Sequence, residues 1–148
     1  MTLHDEIGEA RVRERLLVEA RTWINTPWHH RARVKGAGVD CAQFVNAVYH
    51  TVLGTDLIEI DYPPDHFLHR SEEQLVTQLE RQANCVPLAL PGDVVVYRFG
   101  RAMSHAGLVV DWPRIIHAYR LEGGVVFGNG TGGNLAERER QFYRWKGF

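Results

Sequence analysis

The chain is short of cysteine, of lysine and of long apolar runs, and each shortage closes off a class of protein. Two cysteines, Cys41 and Cys85, cannot build a disulfide framework, and both are expected to be reduced. Two lysines stand against 15 arginines at a net charge of −1, so no global field argues for nucleic acid or an anionic membrane as partner. The arginine excess is read as the codon usage of a GC-rich genome. No apolar run approaches the roughly 18–20 residues that a membrane span needs. The opening Met1-Thr2-Leu3-His4-Asp5-Glu6 lacks the basic and then apolar regions of a signal peptide, so synthesis in the cytoplasm without secretory export is expected. No repeat, low-complexity stretch or linker divides the chain. Residues 1–148 are therefore expected to form a single domain, large enough to bury about 70% of its unfolded surface.

What is present falls into two halves. Val12, Leu16, Leu17, Ala20, Trp23 and Ile24 recur at helical spacing and stop near Asn25-Thr26-Pro27, where proline restricts its predecessor. A basic loop from Trp28 to Val39 follows. The spacing then predicts a helix from about Asp40 to Leu53, with Cys41, Phe44, Val45, Val48 and Val52 on one face and Gly54 as its C-cap. Tyr62-Pro63-Pro64-Asp65 breaks an irregular stretch. Ser71-Glu72-Glu73-Gln74 is a capping-box pattern for a short helix to about Ala83. After Pro91-Gly92-Asp93 the period becomes two. Strands are predicted over Val94–Tyr97, Ser104–Val110, Ile115–Tyr119 and Val125–Phe127, then a glycine turn region at 128, 130, 132 and 133, and a last strand over Gln141–Trp145. Helices first and antiparallel strands afterwards argue for an α+β domain with the helices packed on the sheet.

Cys41 opens the second helix, and this is the position with most chemistry in it. Unpaired N–H groups and the helix dipole favour a thiolate there, so a lowered thiol pKa is expected. His105 and His117 supply a base and an orienting group if they share a face. Should the Asp111-Trp112-Pro113 loop be centred on Trp112, His105 falls opposite Tyr119 and His117 opposite Gly107. The imidazoles are then diagonal neighbours, with Gly107 leaving room beside His117. Cys41 as nucleophile, His105 as base and His117 as the group that fixes the imidazole tautomer make a thiol-hydrolase set. A zinc site from Cys41, Cys85, His105 and His117 would lack any short ligand pair, so neither a metal nor another cofactor is expected.

At these residues the chain resembles the NlpC/P60 family of papain-like cysteine peptidases. The resemblance runs through Thr26-Pro27-Trp28, Val39-Asp40-Cys41-Ala42, Pro91-Gly92-Asp93-Val94, Ser104-His105-Ala106-Gly107-Leu108-Val109 and Ile115-Ile116-His117-Ala118. It implies the papain-like NlpC/P60 fold and hydrolysis of peptidoglycan stem peptides, commonly between D-glutamate and a diamino acid. It also implies a catalytic trio of Cys41, His105 and His117. Trp28, Asp40 and Ala42 stand where some members hold the substrate's N-terminal end with Tyr, Asp and Ser, and Gln43 follows where glycine is common. These four are the expected substrate-binding residues, with Asp40 binding a substrate amine or bracing its loop. Arg31, Arg33 and Lys35 are expected to meet stem-peptide carboxylates. The chain looks most like the phage-tail and gene-transfer-agent branch, which implies a virion-borne enzyme, tail or baseplate partners and action in the host envelope. The alternatives are a tail-tip structural subunit that keeps the fold without catalysis, and a papain-like amidase or acyltransferase with a non-wall substrate.

Overall fold

The computed structural model describes residues 7–57 and 74–148. The Ser71-Glu72-Glu73 part of the capping box and the Tyr62–Asp65 breaker lie outside the described residues. Helix α1 spans Glu9–Arg21, with an acid in its first turn and a base in its last, the signs that complement the helix dipole. Trp23 and Ile24 continue its apolar side in the turns beyond. The basic loop contains a small hairpin, β1 (Arg33–Val34) and β2 (Gly38–Val39), which the sequence pattern did not show. Helix α2 runs over Cys41–Leu53, and Gly54 caps it in the left-handed conformation at φ 68°.

Helix α3 (Gln74–Leu79) is shorter than predicted, because Ala83 already begins a strand. The strands are β3 (Ala83–Val86), β4 (Val94–Phe99), β5 (Ala102–Asp111), β6 (Arg114–Tyr119), β7 (Gly124–Asn129) and β8 (Arg140–Trp145). They form one antiparallel six-stranded sheet in the order β3-β8-β4-β5-β6-β7. The N-terminal helices pack on this sheet, giving the α+β arrangement of helices on an antiparallel sheet that the sequence pattern implied. Alternation assigns the two faces. Val94, Val96, Ala106, Leu108 and Ile116 meet Phe44 and Val48 of α2 and Leu16 of α1 in the main core. Val95, Tyr97, Val109 and Ile115 build a smaller core on the far face with Leu135. Both faces of β4 to β6 are thus covered, which is why these strands read as nearly unbroken apolar runs. Each fully buried side chain of this kind contributes about 1.5–3 kcal/mol.

A buried ionic knot fastens the first helix to the sheet. Asp93, fully buried, pairs with Arg13 at 2.9 Å and with Arg144 at 2.8 Å. Its carboxylate also accepts the backbone N–H of Leu90 at 2.8 Å. Arg13 donates to Pro91 O at 2.8 Å, and the Tyr49 hydroxyl donates to Gly92 O. The Pro91-Gly92-Asp93 turn is therefore where α1, α2 and β8 are tied together.

Two irregularities in the sheet set up the site. Between β5 and β6 the register is Leu108↔Ile116 and Val109↔Ile115, then shifts to Asp111↔Arg114 across a β-bulge. Trp112 and Pro113 alone make the turn, so the loop is tighter than predicted. The bulge restores the parity, so Gly107 lies against the His117 Cβ and the rings of His105 and Tyr119 are 5.1 Å apart. Between β4 and β5 the register slips from Tyr97↔His105 to Arg98↔Met103, which leaves Ser104 unmatched. Bulges of this sort re-aim side chains next to active sites.

Candidate active site

Asp40 starts the site by capping α2. One carboxylate oxygen accepts the N–H of Gln43 at 2.9 Å, and the other accepts the N–H of Arg31 at 2.7 Å. An N-cap bond of this kind is worth about 1 kcal/mol. Asp40 is buried, so of its two expected roles the one it visibly performs is bracing the loop against the helix. Cys41 follows as the first helical residue and is half-buried.

The Cys41 sulfur lies alongside the bulged end of β5. Sγ donates to Ser104 O at 3.6 Å, and the backbone N–H groups of Ala106, Ala42 and Cys41 itself act on it electrostatically, favouring the anion. The sulfur thus lies against the backbone of the residue that precedes His105. Ala42 acts here through its main chain, which any residue would supply. Among the described residues no hydrogen bond joins Sγ to the His105 ring.

His105 and His117 are in direct contact. His105 Nε2 lies 2.8 Å from His117 Nδ1, with ring centroids 5.0 Å apart at 67°. Tyr119 stacks on His117 at 4.6 Å and 19°, and Phe99 meets His105 edge-on at 5.3 Å. The pairing uses one nitrogen of each ring. For His105 to take a proton at Nδ1, its Nε2–H must donate to His117 Nδ1, and His117 must then carry its own proton on Nε2.

Burial sets the protonation of the whole group. It pushes the Cys41 thiol up to about 12, reinforced by the Asp40 charge and opposed by the backbone N–H groups. It holds His105 well below the usual imidazole value, with His117 and then Arg138 adding to the effect. His117 falls to about 4 from burial. The resting site is therefore a neutral thiol beside two neutral imidazoles. This corrects the expectation of a thiolate favoured by the helix start: desolvation outweighs the dipole, and the capping carboxylate works against it.

The remaining expected site residues are held by the scaffold. Gln43 is buried, and its Oε1 accepts from Arg33 at 2.8 Å and from Asn46 at 3.3 Å. Trp28 is half-buried against the main core, with the Arg120 guanidinium 5.3 Å from its ring. Lys35 is held by Glu19 at 2.8 Å and by Thr22, while Arg33 is held by Gln43. The Lys35 ammonium also lies over the Trp23 ring, a contact that draws it back onto α1. Cys85 is exposed on β3, at the opposite end of the sheet from β6 and His117, so the four-ligand zinc set does not assemble. Among the described residues no group of three or more His, Cys, Asp or Glu is placed to hold a metal ion. No helix among them is long and apolar enough to cross a membrane.

Three partners of the site residues are not marked in the sequence: the Ser104 carbonyl for Cys41, and Phe99 and Gly128 for the histidines. Alternation along β6 does put His117 and Tyr119 on one face, so the stacked tyrosine was legible. The Ser104 carbonyl was not, because it is exposed to Cys41 by a bulge.

Comparison with known proteins bears on the same residues. The model of the NlpC/P60 family matches residues 25–144. No curated protein matches the chain. The NlpC/p60 domain of peptidoglycan hydrolase SagA is similar over 87% of this chain and 96% of its own, at 21% identity and a TM-score of 0.61. Peptidoglycan hydrolase RipB from Mycobacterium tuberculosis is similar over 91% of this chain and 65% of its own, at 19% identity and a TM-score of 0.61. RipD from the same organism, a non-catalytic NlpC/p60 domain protein adapted to peptidoglycan binding, covers 90% of this chain at 14% identity and a TM-score of 0.58, over 96% of its own. At these identities the likeness is one of fold.

Proposed function

The chain belongs to the NlpC/P60 family, and on that premise we propose that it is a cysteine peptidase acting on peptidoglycan stem peptides, with Cys41, His105 and His117 as its machinery. The observation that carries this reading is the His105–His117 hydrogen bond beside a half-buried Cys41 whose sulfur bonds the carbonyl of Ser104, the residue before His105. The reaction begins when Sγ exchanges Ser104 O for His105 Nδ1. The thiol proton passes to that nitrogen as sulfur attacks the scissile carbonyl carbon. The N–H groups at the start of α2 are the donors for the resulting oxyanion. His105 returns the proton to the leaving amine, and a thioester remains on Cys41. Water then attacks the thioester, giving its proton to His105, and the acid product leaves as the thiol is restored. Throughout, His117 accepts from His105 Nε2–H and steadies the imidazolium. Because thiol and imidazoles rest neutral, proton transfer accompanies attack instead of preceding it.

The same proposal sets the enzyme in a phage or gene-transfer-agent tail, acting on the wall from outside. That setting rests on the resemblance of the motifs alone, and mass spectrometry of purified particles tests it. A second reading is favoured by the raised thiol and the missing Sγ–His105 bond: a wall-binding domain without catalysis. Digestion of purified peptidoglycan by the wild-type chain and by Cys41→Ala separates the two. Loss of cleavage in a folded Cys41→Ala supports the peptidase. No cleavage by the wild-type chain, with wall binding intact, selects the binding domain.

A further inference from the structure

Gly128 stands out because its backbone does not require glycine. It lies within β7, and it is absent from the glycines with positive φ among the described residues. Its neighbours Val125, Val126 and Phe127 are ordinary strand formers. What requires glycine here is space. His117 pairs with Val126, so Gly128 is its diagonal neighbour on the same face of the sheet. A Cβ built at Gly128 would stand 2.7 Å from His117 Nε2, closer than real Cβ atoms approach, and 3.3 Å from Cδ2, itself a tight contact.

Tyr119 stacks on one face of the imidazole, so a ring pushed from position 128 yields on its open side. The free volume beside the ring is a cleft that it shares with Asn129, Gly132 and Leu135. A ring displaced by a side chain at 128 moves toward that cleft, and the Nδ1 that meets His105 Nε2 moves with it.

We propose that Gly128 is a positioning residue for the His105–His117 pair, its missing side chain being the slot in which the His117 ring lies. This rests on the catalytic reading of the pair given above. Substitution to alanine acts on catalysis through His117 and not through the fold.

The test is a double-mutant cycle on the full chain: wild type, Gly128→Ala, His117→Asn and the combination. Each is read by kcat and KM on peptidoglycan, by melting temperature, and by the imidazole ¹⁵N–¹H spectrum that reports the His105–His117 hydrogen bond. Gly128→Ala is expected to lower kcat about 10²-fold, the order expected when a reacting group is misplaced by about 1 Å, with KM little changed. The hydrogen-bonded imidazole signal is expected to be lost while the melting temperature holds. Asparagine is shorter than histidine, so Gly128→Ala is expected to change kcat by less than about twofold in the His117→Asn background. Equal losses in both backgrounds, or an unaltered imidazole spectrum in folded Gly128→Ala, would overturn the assignment. If the wild-type chain cleaves no peptidoglycan, the functional reading fails, and the spectra of the four proteins still decide the role of Gly128. If Gly128→Ala does not fold alone, a folded combination with His117→Asn supports the steric slot, and failure of both overturns it.

Discussion

Cys41 Sγ donates its hydrogen bond to the carbonyl of Ser104, 3.6 Å away, and not to His105 one residue further along β5. Ser104 is the residue that the β4–β5 register slip leaves unmatched, so its carbonyl is available to the sulfur. A backbone irregularity thus parks the nucleophile beside its base without ionising it.

The thiol should therefore react as a neutral thiol in the free protein. In a Cys85→Ser background, which removes the exposed cysteine, the rate of Cys41 alkylation by iodoacetamide is expected to keep climbing through pH 9 towards about 12. The sign follows from the raised pKa, since the thiolate fraction grows only as pH approaches it. A rate that levels off near neutral pH would show a preformed thiolate instead.

His117 is expected to act as an acceptor for His105 Nε2–H. Asparagine or glutamine at this position offers a carbonyl oxygen for that bond, whereas alanine offers nothing. His117→Ala should lower kcat about 10²-fold. His117→Asn or His117→Gln should retain more, with the larger part of the pH–rate profile intact. Equal losses for all three, measured on peptidoglycan fragments, would remove the orienting role.

The buried imidazoles make the fold sensitive to acid. As pH falls below 6.5, the unfolded chain binds protons that folded His117 refuses until about 4. Stability is thus lost as pH drops across that window, by about 3 kcal/mol from His117 alone. Urea midpoints taken from pH 7 down to pH 4.5 should fall accordingly. The slope should flatten in His117→Asn, and an unchanged slope would assign the acid sensitivity elsewhere.

Asp93 should matter to stability more than to chemistry. Removing it leaves Arg13 buried with only the 3.6 Å contact to Glu9 for an anion, its Nε and one terminal nitrogen making no hydrogen bond. Asp93→Ala is expected to cost about 3–5 kcal/mol, the usual penalty for breaking a buried pair. Thermal unfolding measures this. A small loss of stability with a large loss of kcat would mean that the turn serves the site directly.

Much of this arrangement was legible in local pattern. Helical spacing located α1 and α2, and Asp40 and Gly54 marked the limits of α2. Alternation along β5 and β6 set His105 and His117 on one face, because side-chain direction in a strand depends only on parity once the register is known. The register itself was reached by a different route, a tight turn corrected by a bulge. The edge strand β3 was missed because Ala83–Val86 is short and is drawn into the sheet by pairing with the distant β8.

The sequence by itself determined α1, α2 and the strands β4 to β8, the parity of the histidines and the place of Cys41 at a helix start, since all three follow from backbone geometry over a few residues. Only the tertiary structure decided the charge on the thiol, the partner of Lys35, the exposure of the Ser104 carbonyl and the spatial need for glycine at 128. Each of these depends on groups far apart in the chain. Desolvation, ion pairing and steric room are properties of the atoms that gather around a side chain, and folding selects those atoms.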